Sequence, residues 1–381
     1  MTVDDIKEVQ TLVNENDQPV IYILNLHENS GFVVMSASFV EKPILAYGFE
    51  GNFDLDGLGD YGGVIEWTYT KFLKIDGLIK KGDPLDERIT MQWNAVNPSF
   101  GFDLVDNNGN VVPWIPPVIV DQYDETYTYG PLLTTRWNQR LSNDPNTSVI
   151  GYNNYVRSYN CSLNIAPTGC VATAMGQIMK YFDKWPNAAN LSLQTMPNLV
   201  NSNNHQTQEA KNIALLMHEL GQRFGMNYGC DGSGAHSGNA RQALVNQYGY
   251  SATLVVALNY NPLVQNIFNH KPVYLDGCSE RIVKTTPIRL GKWSIGKTTY
   301  KYDGCHAWVA DGYEKIERTT TYDTGYTFTT VIADNFHMNW GWGGSYNGWY
   351  DYEYWDDING NNIPDVDYIY KQNMIYNITP N

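Results

Sequence analysis

One cysteine of this chain stands where a helix is expected to begin. The segment 166–186 reads APTGCVATAMGQIMKYFDKWP, and after Cys170 its apolar residues recur at steps of three and four until a Trp-Pro pair. Thr168 is a candidate N-cap, so the pattern predicts a helix over 170–183. Free N–H groups and the helix dipole lower the pKa of a thiol placed there from about 8.5 to roughly 3.5–7.5. Cys170 is therefore a candidate nucleophile, and the alternative is a small buried cysteine that only packs.

A cysteine nucleophile needs a base, and two histidines lie on predicted strands. His306 occurs in the sequence GCHAWVADGY, and His337 occurs in FHMNWGWGG. His306 is the better candidate because it follows a glycine at the start of its strand. Strand alternation places its neighbour Cys305 on the opposite face, which favours a packing role for that cysteine.

The segment after His337 supplies the residue types that an active-site imidazole requires beside it. Asn339 offers an amide that can accept a ring N–H and fix the tautomer, and the indoles of Trp340 and Trp342 can exclude water. Taken separately, each of these residues also fits a tight turn capped by aromatic rings. Together with the cysteine and the histidine, they predict a site for thiol chemistry.

The sequence predicts no metal and no cofactor. Its five cysteines form no Cys-x-x-Cys pair, so a zinc site is not expected, and at least one thiol stays free unless it pairs between chains. The glycine-rich loop 228–238 lacks the Lys-Ser/Thr ending of a nucleotide-binding loop. The stretch Asp357–Asp365 has part of the spacing of a calcium loop but lacks the turn glycine and the final glutamate, so a solvated loop is expected.

Composition predicts a folded chain with two modules. Of the 381 residues, 43% are apolar and 17% are charged, which excludes a disordered protein. The net charge is −15, and residues 1–120, with 18 acidic and 7 basic residues, carry −11 of it. Without a cluster of Lys and Arg, neither nucleic acid nor an anionic membrane is an expected partner. No apolar run is long enough for a membrane span, and the N-terminus does not resemble a signal peptide.

Periodicity along the chain predicts an α+β fold with helices and strands segregated. In the first module we expect a helix at 3–14, strands at 20–26, 31–38 and 45–53, and a helix at 64–79. A proline-rich, then tyrosine-rich and acidic, stretch at 111–130 predicts an extended connector that a protease could cut. Beyond it we expect helices at 207–224 and 241–247, then strands at 272–276, 305–313, 326–333 and 348–355, with a hairpin turn at 347–348.

The three ordered motifs around Cys170, His306 and Asn339 resemble those of the streptopain-like cysteine peptidases of bacteria. The resemblance covers residues 131–381, and the front module looks like the inhibitory prosegment of the same family. It implies a zymogen with an inhibitory prodomain at 1–120, a connector and activation-cleavage region at 121–130, and a papain-like peptidase domain at 131–381. A papain-like fold has a helical half that bears the nucleophile and an antiparallel sheet half that bears the base.

The resemblance also implies roles for single residues. Cys170 falls on the nucleophile, His306 on the acid and base, and Asn339 with Trp340 and Trp342 on the segment that walls the histidine. The candidate substrate contacts are Gly232, Ser233, Gly234 and Cys305. Gln139 is a candidate oxyanion donor, although it lies farther upstream than in papain. Asp276 stands where the family suggests glutamine, which leaves the role of that side chain open.

The implied function is a secreted cysteine endopeptidase precursor that acts on proteins and peptides and is inhibited by its own prosegment. Its export signal is expected to have been removed. Two alternatives remain open: another thiol acyl-transfer enzyme of the amidase or transglutaminase kind, and a surface binding protein that uses the same fold without catalysis.

Overall fold

In a computed structural model, the chain combines helices with one large antiparallel sheet, which confirms the α+β prediction. The structure describes residues 5–53, 62–81, 89, 92–93, 104–105, 111–112, 119–140, 151–156, 161, 164–186, 192–290, 293–322, 327–351 and 370–381. Across these ranges, no helix has both the length and the apolar character needed to cross a membrane.

The helices are α1 (Gly62–Lys81), α2 (Cys170–Tyr181), α3 (Gln208–Phe224), α4 (Ser237–Asn246) and α5 (Tyr260–Phe268). The strands of the first part of the chain are β1 (Ile6–Val13), β2 (Pro19–Leu26), β3 (Phe32–Ser36), β4 (Ile44–Gly48), β5 (Leu104–Val105), β6 (Val111–Val112) and β7 (Ile119–Tyr129). The later strands are β8 (Asn227–Tyr228), β9 (Ser233–Gly234), β10 (Tyr250–Val255), β11 (Val273–Leu290), β12 (Trp293–Tyr322), β13 (Thr327–Asn339), β14 (Gly348–Asp351) and β15 (Tyr370–Pro380).

The helix predicted at 3–14 is wrong, because this segment forms strand β1. It pairs antiparallel with β2, whose residues Val20, Ile21 and Ile23 are fully buried. Strand formation depends on such cross-strand neighbours, which local spacing does not reveal. The other predictions for the first module are confirmed to within a few residues by β2, β3, β4 and α1.

The N-terminal module (residues 1–120) shares a sheet with the rest of the chain. Eleven strands of the described residues form this sheet, in the order β1-β2-β3-β4-β14-β13-β12-β11-β15-β10, and β7 also pairs with β12. The join lies between β4 and β14, where Tyr47 is opposite Trp349 and Ala46 is opposite Tyr350. The two modules therefore meet through backbone pairing as well as through side chains.

The predicted connector is a strand along much of its length. Residues 119–129 form β7, which pairs antiparallel with the C-terminal half of β12 from Tyr313 to Tyr322. All eleven residues of β7 are exposed, and Asp124 accepts two hydrogen bonds of 2.6 Å from the guanidinium of Arg318 on β12. The segment is thus extended, as expected, but held to the sheet.

Helix α2 runs through the centre of the helical half. Every residue from Val171 to Lys180 is buried, and Met175 and Ile178 lie in the same core as Met217 and Leu220 of α3. The predicted helices at 170–183 and 207–224 are confirmed, and the one predicted at 241–247 begins earlier, at Ser237.

The hairpin turn predicted at 347–348 is wrong. Strand β13 ends at Asn339 and β14 begins with Gly348, so the connection spans residues 340–347. Gly341, Gly343 and Gly344 in this connection have positive φ angles of 74°, 71° and 90°. The chain therefore reverses through a longer aromatic loop that carries Trp340 and Trp342.

Candidate active site

Cys170 is the first residue of α2, as predicted, but its cap differs from the expected one. The N-cap is Gly169, with a φ of 90°, and no side chain bonds to the free N–H groups there. A Cβ at this position would lie 2.6 Å from the Met226 sulfur and 2.9 Å from the Ser233 carbonyl oxygen, so only glycine fits. Thr168, the predicted cap, is buried and lies 3.1 Å from the Thr173 hydroxyl.

The electrostatic environment of Cys170 opposes ionisation in the full-length chain. Burial raises the pKa of the thiol to about 11, and the negative charge of Asp276 also raises it, whereas the backbone N–H of Ala307 acts in the other direction. Cys170 is half-buried, and its pKa is shifted in the direction opposite to the one that the start of a helix alone predicts. Removing the sulfur from water penalises the thiolate more than the start of α2 stabilises it.

His306 lies on β12 and is held as a neutral imidazole. Its Nε2 is 3.0 Å from the backbone oxygen of Trp340. A carbonyl oxygen only accepts, so Nε2 carries the proton and Nδ1 keeps the lone pair. Burial lowers the pKa of His306 to about 4. The thiol and the imidazole are therefore both uncharged near neutral pH.

Indole rings surround the imidazole. Trp342 stacks on His306 with ring centroids 4.4 Å apart, and Trp340 and Trp308 stack at 6.2 Å each. Trp340 and Trp342 are nearly parallel, at 11°, and both are buried. This arrangement supports the wall that the sequence predicts, and it explains why water is kept from the ring.

Asn339 is buried, and its side chain ties together three segments around the site. Its Nδ2 donates to the Thr135 carbonyl oxygen at 2.7 Å. Its Oδ1 accepts from the Gln177 Nε2 and from the Gly341 N–H, each at 3.2 Å. These bonds fix the start of the aromatic loop, whose Trp340 carbonyl accepts from the imidazole. The predicted bond from the ring to the Asn339 amide is not among them.

Gln139 lies beside the entry to α2, despite its distance along the chain. Its backbone oxygen accepts from the Thr168 N–H at 3.1 Å, two residues before Cys170. The candidate substrate loop is close as well, since Ser233 approaches Gly169 and lies on the short hairpin of β8 and β9. The structure thus gathers both features at the N-terminal end of α2.

Aromatic residues of the N-terminal module reach the wall behind His306. Phe53 is fully buried and packs against Tyr346, which in turn contacts Trp342 with ring centroids 6.4 Å apart. Trp67 of α1 packs against Tyr350 with ring centroids 5.2 Å apart. The module therefore supports the histidine side of the site through contacts between rings.

Ion pairs reinforce the same interface. Lys71 of α1 lies 3.1 Å from Asp351 of β14, and both side chains are fully buried. Lys42 also pairs with Asp351, and Glu50 pairs with Arg136 at the surface at 2.8 Å.

Comparisons with known proteins decide the family. The sequence pattern of the Peptidase C10 family matches residues 147–350, which is more than half of the chain. The chain belongs to this family. The pattern of the Spi protease inhibitor matches residues 2–62. This C10 chain is thus a cysteine peptidase preceded by an inhibitory prosegment, which confirms the streptopain-like zymogen predicted from the sequence.

Two bacterial proteins and one solved structure are similar to this chain. The chain is 22% identical over 366 residues to the thiol protease/hemagglutinin PrtT of Porphyromonas gingivalis, covering 88% of this chain but only 34% of that protein. It is 24% identical over 375 residues to streptopain of Streptococcus pyogenes, covering 87% of this chain and 73% of streptopain. A fragment of prointerpain A from Prevotella intermedia superimposes with a TM-score of 0.55 and 18% identity over 97% of each chain, which shows a common fold.

Two disulfides flank the candidate active site of this C10 chain. Cys161 pairs with Cys230, and Cys278 pairs with Cys305, which leaves Cys170 as the free thiol. Cys305 is exposed and is bonded to the directly opposite residue of β11. This disulfide anchors the strand that carries His306, so Cys305 has a covalent structural role in place of the predicted packing role. The predicted contact of Cys305 with substrate stays a prediction.

Two further polar groups, Gln177 and Asp276, lie near the site. Gln177 is fully buried on α2 and accepts from the Trp137 N–H at 3.1 Å while it donates to Asn339. Asp276 on β11 accepts hydrogen bonds from Ser237 and Asn373. Gln177 could have been found from its place in the buried stripe of a predicted helix, where a polar side chain needs partners.

The described residues of the C10 chain contain no group of His, Cys, Asp or Glu side chains arranged to hold a metal ion. The stretch Asp357–Asp365 lies outside the described residues. His337, the second histidine considered, pairs with Asp311 at 2.6 Å on the sheet. Asp311 also accepts from the Leu133 N–H at 2.9 Å, so this pair anchors the segment that follows β7.

Proposed function

We propose that this chain hydrolyses peptide bonds with Cys170 as the nucleophile and His306 as the general acid and base. The observation that carries the proposal is the contact between the Cys170 sulfur and the backbone N–H of Ala307, the residue after the histidine. It brings the strand of the imidazole to the first turn of α2. The proposed substrates are proteins and peptides.

The reaction follows from the groups around the sulfur. His306 Nδ1 takes the thiol proton, and the sulfur attacks the carbonyl carbon of the scissile bond. The Cys170 N–H at the start of α2 and the Gln139 side-chain amide donate to the oxyanion. The imidazolium then protonates the leaving amine as the C–N bond breaks, which leaves a thioester. Water gives a proton to Nδ1, attacks the thioester and releases the acid product and the thiol.

Asn339 acts in this proposal as a positioning residue. It fixes the aromatic loop through Thr135, Gln177 and Gly341, and that loop presents the Trp340 carbonyl to His306 Nε2. A fixed Nε2–H leaves Nδ1 as the basic atom, which is the tautomer that the first step needs.

Latency follows from the charge state of the dyad. In the full-length chain, burial disfavours both the thiolate and the imidazolium. Removal of the N-terminal module by cleavage within 121–130 would withdraw Phe53 and Trp67 from the loop that walls the imidazole. Because residues 119–129 pair with β12, this segment has to leave the sheet before a protease can bind it as an extended chain.

We further propose that the protein works outside the cell or at its surface. Two disulfides among the described residues, at 161–230 and 278–305, support this location, because such bonds persist in oxidising compartments.

The test of the catalytic assignment follows the intact mass of the full-length protein over time under mildly reducing conditions. Wild type should lose the N-terminal module and then cleave casein, whereas Cys170→Ala and His306→Ala should stay intact. The Cys170→Ala protein should be cut when a trace of matured wild type is added, which shows that it remains a folded substrate. Matured wild type that incorporates an amine without cutting casein would replace the hydrolase with a transferase.

A further inference from the structure

The carboxylate of Asp276 lies next to the nucleophile. In the pairing of β11 with β12, Asp276 is directly opposite Ala307, and the Ala307 N–H reaches the Cys170 sulfur. The charge of Asp276 is close enough to raise the pKa of the thiol. Asp276 is therefore the cross-strand neighbour of the residue that contacts the Cys170 sulfur. Its carboxylate lies on the face of the sheet that packs against the helices.

Three neutral donors and one nearby cation surround this carboxylate. Ser237, at the start of α4, donates to Oδ2, and Asn373 Nδ2 donates to Oδ1 at 2.8 Å. The Tyr274 hydroxyl also hydrogen-bonds to Asp276, and the positive charge of Lys371 is near enough to lower its pKa. A carboxylate offers about four lone-pair sites, so these three donors leave room for one more.

Asp276 is exposed enough for a ligand to reach its carboxylate. The residue is half-buried, unlike Tyr274 and Leu275 before it, which are fully buried. Partial burial raises the pKa of Asp276 above its usual value, since the carboxylate has lost water without gaining full compensation. A cation placed at the remaining site would supply that compensation.

The surroundings of Asp276 border the candidate active site. Ser237 lies near the end of the glycine-rich loop 228–238, and the Ser233 carbonyl of the same loop lies against Gly169, next to Cys170. Asp276 is thus bordered by the start of α2 on one side and by the start of α4 on the other. A peptide bound with its scissile carbonyl at Cys170 would therefore lie near the carboxylate.

We propose that Asp276 makes this peptidase selective for peptides that carry lysine or arginine beside the cleaved bond. The proposal rests on the proposed function of Cys170 and His306. A lysine or arginine side chain reaches farther than the backbone and ends in donors that match a carboxylate. Binding would also neutralise the charge that disfavours the Cys170 thiolate, so a cationic substrate promotes its own attack.

The experiment uses the matured wild-type enzyme and fluorogenic peptides that are varied singly at each position on both sides of the cleaved bond. At one position, lysine and arginine should give a kcat/KM about tenfold or more above that of norleucine, the advantage expected of a partly buried charge pair. At the same position, acetyl-lysine, which has nearly the same shape without the charge, should lose this advantage. Equal rates for lysine and acetyl-lysine at every position would overturn the proposal without any variant.

Variants assign the effect to one carboxylate. Asp276→Asn should lose the preference, so that lysine, acetyl-lysine and norleucine peptides are cut with similar kcat/KM values, and Asp276→Glu should retain the preference. Asp334→Asn is the matched control, because Asp334 is also half-buried and accepts from a tyrosine, Tyr260, at 2.9 Å, but lies on β13. Preference that persists in Asp276→Asn contradicts the proposal. If no peptide is cut by wild type, the proposed function fails and this inference fails with it.

Discussion

Phe53 of the N-terminal module packs edge-on against Tyr346, with ring centroids 5.5 Å apart and ring planes at 84°. Tyr346 contacts Trp342, and Trp342 stacks on His306. A side chain of the inhibitory module is thus two rings away from the imidazole that we propose as the base. The module can influence this ring from behind, through the aromatic loop.

Phe53→Ala should weaken both stability and latency. Phe53 is fully buried among Phe32, Trp67 and Tyr346, so truncation should lower the free energy of unfolding by about 3–5 kcal/mol and speed the loss of the N-terminal module. Urea unfolding of the Cys170→Ala background measures the first effect, and intact mass over time in the active background measures the second. The control is Phe49→Ala, because the Phe49 side chain is 73% exposed. This variant should change the free energy of unfolding by less than about 0.5 kcal/mol and leave the rate of maturation nearly unchanged. Unchanged maturation in Phe53→Ala would show that the aromatic contacts do not sustain latency.

The buried lysine of α1 should make stability depend on alkaline pH. Burial lowers the pKa of Lys71 to about 8 from 10.5. Between these values the unfolded chain holds a proton that the folded chain has released, so stability should rise with pH. The free energy of unfolding of wild type should rise by roughly 1.5 kcal/mol from pH 8 to 9.5, relative to that of Lys71→Met.

The control for Lys71 lies on the same helix. Lys80 is 45% exposed and pairs with Asp76, which raises its pKa. Lys80→Met should therefore follow wild type across this pH range. Denaturant titrations at each pH supply the comparison, and parallel curves for wild type and Lys71→Met would contradict the assigned pKa.

Cys170 should react slowly with iodoacetamide in the full-length chain. Because burial raises the pKa of its thiol to about 11, the alkylation rate should keep increasing above pH 10. After removal of the N-terminal module, the rate at pH 7.5 should increase on the order of a hundredfold as the pKa falls toward the range of helix-start thiols. Without reductant the other cysteines are in disulfides, so peptide mass spectrometry reports this thiol alone. An inflection below pH 9 in the full-length chain would refute the prediction.

Asn339→Ala should destabilise the fold and disturb catalysis. It leaves the partner groups on Thr135, Gln177 and Gly341 without their hydrogen bonds, which should cost about 2–4 kcal/mol. The surface variant Asn203→Ala should cost less than about 0.5 kcal/mol. If Asn339 positions the imidazole loop, the acidic limb of the pH profile of kcat/KM should shift in the folded variant. An unchanged profile would restrict Asn339 to a structural role.

The sequence predicts most of the helical half because local signals define it. The period of apolar residues from Cys170 onward and the glycine before it set the position of α2, and the structure agrees. Strand β1 was missed because its partner, β2, decides its conformation, and pairing across a turn is not a local property. The pKa of Cys170 was missed for a similar reason, since burial by distant segments outweighs the helix N-terminus.

The pairing of β4 with β14 has a consequence for the matured enzyme. Once the N-terminal module leaves, the backbone groups of Trp349 and Tyr350 that face Tyr47 and Ala46 lose their partners. A strand with unpaired N–H and C=O groups is a template onto which another chain can add. In the full-length chain, the N-terminal module therefore covers this strand edge and prevents it from pairing with another chain.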